Sequence, residues 1–576
     1  MPAPDSSAND VLDTLNEAAR HFVESVLTAW PEQSRMESAV IVAAMADALK
    51  QDPTRWEEMQ KRYYAQHLDL WQRLAQGEAA PPAAETENDR RFRAQEWRAL
   101  PYFNYVRQSY QLNARWLKEI AGAVPVEGHI KKRLDFFTRQ LIDAAAPANF
   151  ATTNPEVLKL ASETNGESLR RGLDLLREDV RKKRITMTDE TAFEIGRNIA
   201  VTAGDVVFEN ELIQLIQYRP LTPLVHARPL LMVPPCINKY YILDLQPDNS
   251  LVRFAVEHGR TVFMVSWRNM PPELGHFTWD QYLELGVIKP LAVAREICGT
   301  DEIDTLAFCV GGTLLAAALA VLHAKGERPA ATMTLLTTML EFSDTGELSV
   351  FIDENYVRER EARSGTGNNL MRGEELSLTF ARLRANDLIW NYVVNSYLKG
   401  RKPDAFDLLY WNSDSTNLPG AMYAYYVRNT YLENNLRTPG KLTMCGMPVD
   451  LGRIDMPAYV LAAREDHIVP WRTAHATNRL LGGPTQFVLA ASGHIAGVVN
   501  PALRNKRNFW TNDVLAPAAE TWLEGAASQP GSWWPHWTNW LAQYGGAQVA
   551  APAAPGNTRY PAIEPAPGRY VKHRNA

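Results

Sequence analysis

The chain has 576 residues, of which 46% are hydrophobic and 22% charged, as expected for a soluble globular protein with two or more domains. Its net charge of −6 gives no reason to expect nucleic acid or an anionic membrane as a partner. Four scattered cysteines without a CxxC pair argue against a disulfide framework or a zinc site and favour a reducing, cytoplasmic compartment. No signal peptide is readable, and no apolar run reaches the ~18 residues of a membrane span.

Residues 1–188 are predicted to form a helical N-terminal domain. Apolar residues recur at helical spacing in Val11–Trp30, Trp56–Leu74 and Tyr105–Ile120. The Ala/Pro-rich stretch Gly77–Asn88 predicts a flexible break after the first two helices.

Aromatic residues are dense in two segments, Trp97–Trp116 and Trp533–Trp540. We interpret both as packed against neighbouring elements, because aromatic stripes at helical spacing usually belong to a core. The alternative is an apolar surface that docks on a partner or on a hydrophobic particle.

Residues 189–548 are predicted to form an α/β catalytic domain, because extended apolar runs alternate there with helices. The runs that predict buried, mostly parallel strands begin with Pro229–Val233, Thr261–Trp267 and Met333–Thr337. A β-hairpin is expected just before them, with Ile199–Thr202 and Val206–Phe208 joined by a turn at Gly204.

The alternation stops between about residues 340 and 442, which predicts a cap subdomain inserted into the catalytic domain. An ordinary helical subdomain is the alternative. From residue 549 to 576 the Ala/Pro/Gly composition predicts a disordered or loosely docked C-terminal tail.

The stretch Thr305–Thr313 has the pattern of a nucleophile elbow. An apolar run leads to Cys309, two glycines follow, and the helix-forming run Leu314–Leu322 comes next. Such a turn exposes one side chain at a helix N-terminus, where a thiolate and a developing oxyanion are stabilised. The alternative is a buried structural cysteine.

Two later strands complete the pattern. Ala458–Ala463 is followed by Asp466, and Gln486–Ala490 is followed by His494. A nucleophile, an acid and a histidine in this order, each just after a strand, predict the triad of an α/β-hydrolase, lipase-like core. His467 is the less favoured base, because neighbouring side chains in an Asp-His pair diverge.

In this triad, His494 accepts the proton of the Cys309 thiol, and Asp466 orients the imidazole. A cysteine thioester is close in free energy to a coenzyme A thioester, so acyl groups on Cys309 stay activated toward an alcohol. This favours acyl transfer over hydrolysis if the site is dry. The residues alone leave an acyltransferase and a cysteine hydrolase open.

The oxyanion hole is expected to combine the backbone N–H of Val310 with one N–H from the loop after the Pro229–Val233 strand. Pro235 cannot donate, which leaves Cys236 or Ile237.

At this point several motifs resemble those of polyhydroxyalkanoate synthases, in particular the one-subunit class I type. The resemblance covers about residues 90–575, and the motifs are Phe308–Thr313, Val233–Pro247, Ser266–Asn269, Tyr410–Gly420, Arg464–Trp471 and Gly493–Gly497. It implies polymerisation of (R)-3-hydroxyacyl-coenzyme A, typically 3-hydroxybutyryl, through Cys309, Asp466 and His494. In the family reading, Asp466 is alternatively the group that activates the incoming hydroxyl.

The resemblance further implies a homodimer at the surface of cytoplasmic polyester granules. Its partners would be the growing polyester chain and granule-associated proteins, with contacts made by the helical N-terminal domain. No cofactor is expected, since coenzyme A is part of the substrate and is released.

Other residues have lesser predicted roles. Asp244 and Trp411 lie in the family motifs and are expected to support the geometry, while Lys239, Arg268 and Arg401 are candidates for coenzyme A phosphates.

The position two residues before the nucleophile is usually Gly in the family and is Ala307 here, which adds one methyl group at the elbow. Two other functions remain open: a thioesterase or esterase on the same fold, and a catalytically silent granule-coating protein.

Overall fold

The fold is described from a computed structural model, for residues 34–76, 89–364 and 369–574. These residues form two compact units. The first comprises the described residues up to Asp189 together with Phe380–Ala405. The second comprises the described residues of Glu190–Thr379 and Phe406–Ala576.

The first unit is helical, as the sequence predicts. Its longer helices are Ser34–Gln51, Pro53–Ala75, Pro101–Ala123, Gly128–Ala144, Pro155–Glu163 and Glu167–Lys182. Two of them contain the predicted helices Trp56–Leu74 and Tyr105–Ile120. The predicted helix Val11–Trp30 and the predicted break Gly77–Asn88 lie outside the described residues.

The aromatic segment of this unit is partly packed. Trp97 is fully buried, and its ring centroid lies 4.9 Å from that of Phe92 and 6.1 Å from that of Phe103. Tyr102, by contrast, is 57% exposed. The packing interpretation therefore holds for Trp97 and fails for Tyr102.

Part of the predicted insert belongs to the helical unit. Residues Phe380–Ala405 contain the π-helical turns Asn386–Trp390 and Val393–Leu398. The Tyr397 hydroxyl donates a 2.7 Å hydrogen bond to the Asp179 carboxylate, which ties this segment to the last long helix of the unit.

The second unit is built on an eleven-stranded mixed sheet. In chain order its strands are β1 Gly204–Glu209, β2 Ile213–Tyr218, β3 Leu230–Val233, β4 Val262–Trp267, β5 Ile303–Phe308, β6 Ala330–Leu336, β7 Ala458–Ala463, β8 Thr485–Ala490, β9 Asn508–Thr511, β10 Ala527–Pro530 and β11 Glu564–Pro565. Across the sheet the order is β10-β9-β8-β7-β6-β5-β3-β4-β2-β1-β11. The six strands from β8 to β4 are parallel, and the strands at both ends are antiparallel. Burial on both faces explains their continuous apolar sequences.

Helices connect the parallel strands. The α-helices of this unit are Leu251–Glu257, Trp279–Leu283, Lys289–Cys298, Val310–Ala324, Glu354–Ser364, Asp407–Asn412, Gly420–Val427, Trp471–Ala476, His494–Val498, Ala519–Glu524 and Trp534–Ala542, and Gly373–Leu383 spans the unit boundary. The elbow helix, Val310–Ala324, is buried over almost its whole length because it is apolar on every side. Over the described ranges, no helix combines the length and hydropathy needed to cross a membrane.

The predicted hairpin is wrong in its position. The structure pairs β1 with β2, so Gly204 begins a strand instead of forming a turn. The turn lies at Asn210, whose side-chain oxygen accepts 2.9 Å hydrogen bonds from the backbone N–H groups of Leu212 and Ile213. Asn210 is a turn-forming residue, and the pattern of apolar residues does not reveal it.

The prediction of a disordered or loosely docked tail is also wrong for the described residues. Gln548–Ala550 pairs with Leu224–His226, and the segment 551–574, which we call the C-terminal strap, adds β11 to the edge of β1. Val571 of the strap is fully buried. An edge strand has unpaired backbone groups, and a short Pro-containing strand is suited to covering them.

Gly311 allows the elbow helix to touch the end of β3, since an added Cβ would lie 2.4 Å from the Val233 carbonyl oxygen. We expect Gly311→Ala to lower the free energy of unfolding by about 1–3 kcal/mol, because overpacking forces the backbone to move. Chemical denaturation measures this change. Gly122→Ala is the control, because this helical glycine faces open space and its replacement should be neutral or slightly stabilising. Equal losses in both variants would contradict the prediction.

Candidate active site

Cys309 stands on a sharp turn between β5 and the elbow helix. Its backbone has φ +54° and ψ −128°, a region that side chains rarely occupy and that is typical of strained functional turns. The turn is held because Cys309 N–H donates to the Leu336 carbonyl at 2.9 Å, and Gly312 N–H donates to the Cys309 carbonyl at 2.8 Å. The thiol is half-buried, at the N-terminus of a helix.

Asp466 and His494 lie after β7 and β8, as the sequence predicts. The His494 Nδ1 and Asp466 Oδ2 atoms are 2.7 Å apart. The other carboxylate oxygen, Oδ1, accepts hydrogen bonds from the backbone N–H groups of Ile468 at 2.8 Å and Val469 at 2.9 Å. The Asp466 carboxylate is fully buried, so these three donors fix its orientation. His494 is therefore a partner of the acid, as the sequence predicts.

The imidazole of His494 interacts with the side chains of both Asp466 and Cys309. Burial alone would lower the pKa of His494, but the charge of Asp466, with contributions from Cys309 and from hydrogen bonds to both side chains, raises it to about 10. The ring also stacks on Phe308, with the centroids 5.4 Å apart. The site therefore favours the protonated, imidazolium form of His494.

Tryptophans from the C-terminal aromatic segment hold the short helix that begins at His494. The indole N–H of Trp533 donates to the carbonyls of Gly497 and Val498 at 3.0 and 3.2 Å, and that of Trp534 donates to Val498 at 3.0 Å. Both rings are buried. The packing interpretation of this segment is confirmed for these two residues.

The loop after β3, Pro234–Lys239, is called the oxyanion loop here because it contains the two candidate donors. Trp267 Nε1 donates to the Pro234 carbonyl at 2.8 Å, and Thr416 N–H donates to the Ile237 carbonyl at 2.8 Å. On the other side of the site, Val310 is the first residue of the elbow helix, so its N–H has no acceptor within the helix.

Cys236 lies on this loop, close enough to interact with Cys309. Burial raises the pKa of the Cys236 thiol far above its usual range, and Cys309 adds to the effect. Cys236 is therefore a neutral, packed thiol, as the sequence favours.

The two residues that are predicted to support the geometry, Asp244 and Trp411, are both buried and hydrogen-bonded. The buried Asp244 carboxylate accepts hydrogen bonds from Thr202 at 2.6 Å and Ser250 at 2.7 Å, and burial raises its pKa. Trp411 Nε1 donates to the Lys239 carbonyl at 2.7 Å, at the end of the oxyanion loop.

Two known protein families match parts of the chain. The family described as "Poly-beta-hydroxybutyrate polymerase (PhaC) N-terminus" matches residues 88–255, and the family described as "alpha/beta hydrolase fold" matches residues 229–501. The chain is 56% identical over 525 residues to the poly(3-hydroxyalkanoate) polymerase subunit PhaC of Cupriavidus necator, covering 90% of this chain and 89% of the other. The chain belongs to the poly(3-hydroxyalkanoate) polymerase family.

A second relative, the PhaC subunit of Rhizobium meliloti, is 40% identical over 533 residues, covering 91% of this chain and 86% of the other. A third, the poly(3-hydroxyalkanoate) polymerase of Methylorubrum extorquens, is 39% identical over 538 residues, covering 92% and 88%. The family, the α/β-hydrolase fold and the acyltransferase class expected from the sequence are confirmed.

Two tyrosines of this polymerase were not singled out from the sequence. Tyr426 and Tyr431 interact with Cys309, and their ring centroids are 5.7 Å apart. Burial raises the pKa of both phenols, so they stay neutral near the thiol. The ring of Phe342 lies 5.2 Å from that of Tyr431. The sequence shows only an aromatic run here, with no signal that two of its members approach Cys309.

One of the residues predicted to contact coenzyme A phosphates, Lys239, is buried. Lys239 is only 1% exposed, and its Nζ donates to the His573 carbonyl at 2.6 Å, so a phosphate contact at Lys239 is a wrong prediction. Arg268 lies over the Tyr570 ring at 5.3 Å, and Arg401 is an exposed residue of the helical unit.

Ala307 is fully buried in β5, next to an elbow that keeps its geometry.

The pKa of His494 predicts a pH dependence of stability. This pKa is raised above its ordinary value of 6.5. The stability that protonated His494 adds to the folded state is therefore fully present below about pH 6.5 and is lost as the pH rises toward about 10. We expect the free energy of unfolding to fall over this range, and to fall less in Asp466→Asn, where the charge that stabilises the imidazolium is gone. Denaturant titrations at several pH values measure both slopes. The exposed Asp301→Asn variant should keep the wild-type slope, and the same slope in Asp466→Asn would refute the assignment.

Proposed function

We propose that this enzyme polymerises (R)-3-hydroxyacyl-coenzyme A, and 3-hydroxybutyryl-coenzyme A in particular, into polyhydroxyalkanoate through a thioester on Cys309. The observation that carries the proposal is a strained elbow thiol beside an imidazole that is itself fixed by a buried carboxylate 2.7 Å away. This is the arrangement of an activated nucleophile with its base and orienting group.

In the first step, the proton of the Cys309 thiol lies on His494, as the raised pKa of this imidazole favours, and the thiolate attacks the thioester carbonyl of the substrate. The oxyanion that forms is stabilised by the N–H of Val310 and by that of Cys236 or Ile237. The carbonyl carbon then loses the coenzyme A sulfur, which takes the proton from His494. Free coenzyme A leaves, and the acyl group remains on the enzyme.

Chain growth uses the same groups. The 3-hydroxyl of an incoming hydroxyacyl-coenzyme A gives its proton to His494, and its oxygen attacks the acyl thioester on Cys309. An ester bond forms, the thioester bond breaks, and the Cys309 sulfur takes the proton back. The lengthened chain returns from coenzyme A to Cys309 by the first step, so one thiol supports repeated addition.

We assign Asp466 the role of orienting His494, in preference to activating the substrate hydroxyl directly. Its two oxygens already accept three hydrogen bonds, one from His494 and two from backbone N–H groups, and its side chain is fully buried. A direct base would need an accessible acceptor facing the substrate.

The choice between polymerase and thioesterase depends on water. Phe342, Tyr426 and Tyr431 form an aromatic cluster at the nucleophile, and such a cluster disfavours water near the acyl-enzyme. With water excluded, the thioester is kept for the hydroxyl of the next unit. A thioesterase with an open, wet site is the alternative.

We also propose a homodimer at the surface of cytoplasmic granules, in contact with the growing polyester and with granule-associated proteins. Tyr64, Leu68 and Trp71 support the granule location, because they are 61%, 57% and 56% exposed on one face of the helix Pro53–Ala75. An apolar face of this kind suits contact with a hydrophobic particle. We expect no cofactor beyond the coenzyme A of the substrate.

Replacing Cys309 by Ala should abolish both coenzyme A release from (R)-3-hydroxybutyryl-coenzyme A and the turbidity of the polymer, because the acyl acceptor is gone. A thiol assay and a light-scattering trace, run together, measure the two signals. Cys298→Ala removes another partly buried thiol and should behave as the wild type.

Three outcomes would overturn parts of this proposal. Release with free 3-hydroxybutyrate and no turbidity would identify a thioesterase. No release by the wild-type protein would favour a silent coat protein. Full activity of Cys309→Ala would refute the role of the thiol.

Opening the aromatic cluster should shift the products toward hydrolysis. We expect Tyr431→Ala to raise the ratio of free 3-hydroxybutyrate to polymer several-fold, because a cavity beside the acyl-enzyme admits water. Tyr431→Phe keeps the ring and should keep the wild-type ratio. Chromatography of the soluble products against polymer mass measures it, and an unchanged ratio in Tyr431→Ala would show that the ring does not exclude water.

A further inference from the structure

The C-terminal strap is fastened to the far edge of the sheet. Its β11 residues pair with β1, and the Tyr570 hydroxyl donates to the Asn210 carbonyl at 2.9 Å. Tyr570 N–H donates to the Gln214 side chain at 3.0 Å, and the next residue, Val571, is fully buried. The backbone that follows Val571 is therefore held in place.

The end of the strap reaches the oxyanion loop through one side chain. Lys239, the last residue of that loop, is 1% exposed and donates from Nζ to the His573 carbonyl at 2.6 Å. The Lys239 backbone carbonyl accepts the 2.7 Å hydrogen bond from Trp411 Nε1. The residue is thus held at both its main chain and its side chain.

A buried ammonium needs partners, and the strap provides one of them. Burial lowers the pKa of Lys239 to about 8, against the opposing effect of the Asp414 carboxylate, while Arg574 of the strap lowers it further. Lys239 therefore remains mostly protonated at pH 7, and the His573 carbonyl compensates part of its lost hydration.

Backbone groups of the oxyanion loop make further contacts. Trp267 and Thr416 bind the carbonyls of Pro234 and Ile237, and both come from the second unit's own core and insert. These contacts fix the start of the loop and Ile237, and its C-terminal end is held by the bridge between Asn238 and Ser415, by Lys239 and by Trp411. The N–H groups of Cys236 and Ile237 lie between the two anchored ends.

From this geometry we propose that the C-terminal strap is a positioning element of the active site, which acts through Lys239 to set the oxyanion loop. The His573 carbonyl holds the Lys239 ammonium, Lys239 fixes the end of the loop, and the loop presents the N–H of Cys236 or Ile237 to the developing oxyanion. Lys239 touches neither substrate nor thiol in this account. The proposal rests on the proposed function, because it requires an oxyanion at this site.

The test compares two reactions of the same thiol in the full-length enzyme. Acylation of Cys309 by (R)-3-hydroxybutyryl-coenzyme A passes through an oxyanion, whereas its alkylation by iodoacetamide does not. In Lys239→Met, which keeps an unbranched side chain without the ammonium, we expect the first-turnover rate constant for coenzyme A release to fall about 10- to 100-fold. The alkylation rate constant and the KM should stay within about two-fold of the wild type.

Lys572→Met is the matched control, since it makes the same substitution at an exposed lysine of the strap and should leave both rates unchanged. The amplitude of the first turnover reports the fraction of competent enzyme. A loss of folded protein therefore lowers the amplitude and leaves the rate constant unchanged. Equal falls in acylation and alkylation, or no fall in acylation, would overturn the proposal.

A second variant tests the strap itself, and it also tests the proposal if Lys239→Met does not fold. Val571→Ala loosens the buried anchor and should slow acylation without slowing alkylation. In the double variant the two effects on acylation should not add, because they act through one connection. Additive effects, or a Val571→Ala enzyme with wild-type acylation, would overturn the role of the strap. A wild-type enzyme that forms no acyl-Cys309 would instead refute the proposed function.

Discussion

The Cys309 thiol stands on a residue with φ +54°, and the second unit is arranged to hold that backbone angle. A non-glycine residue in this region costs on the order of 1–3 kcal/mol and persists only where its surroundings determine it. The neighbouring strand β6 and the residues that follow it supply the restraint. The Leu336 carbonyl accepts from Cys309 N–H, and Thr338 Oγ1 donates to the Cys309 carbonyl at 3.2 Å. An added Cβ on Gly312 would lie 2.1 Å from Thr338 Oγ1, so a glycine is needed for this contact. The strain is thus maintained by packing on both sides of the turn.

The rest of the site gathers at the carboxyl ends of β3, β5, β7 and β8. Parallel strands end at one edge of the sheet, so loops that are far apart in the chain meet there. The pKa of His494 depends on this arrangement, because it is raised by a carboxylate that follows a different strand. The fold therefore supplies both the position of Cys309 and the electrostatic environment of His494.

The parts of this structure that could be predicted from sequence are those marked by neighbouring residues or by the order of motifs along the chain. The buried strands follow from continuous apolar runs, and β7 coincides with the predicted Ala458–Ala463. Cys309, Asp466 and His494 could be named because each follows a strand in a characteristic order. The glycines of the elbow reinforced that assignment, and the structure shows the close approaches that require them.

What could not be predicted depends on partners distant in the chain. Tyr426 and Tyr431 lie in an aromatic run, and nothing local distinguishes the members near Cys309. The burial of Lys239 follows from a backbone carbonyl at residue 573, so a cationic side chain that suggested a phosphate contact is an internal anchor instead. The tail has the composition of a disordered segment, and its order comes from the unpaired edge of β1.

The strap also has a consequence for synthesis of the protein on the ribosome. Tyr570 and its acceptor Asn210 are 360 positions apart, so at 5–20 residues per second their contact becomes possible about 20–70 seconds after Asn210 is made. During that interval β1 exposes an unpaired edge, which is a known route to association between nascent chains. Chaperone demand and polysome crowding should therefore matter more for this chain than for a polymerase whose sheet edge is closed by a neighbouring segment.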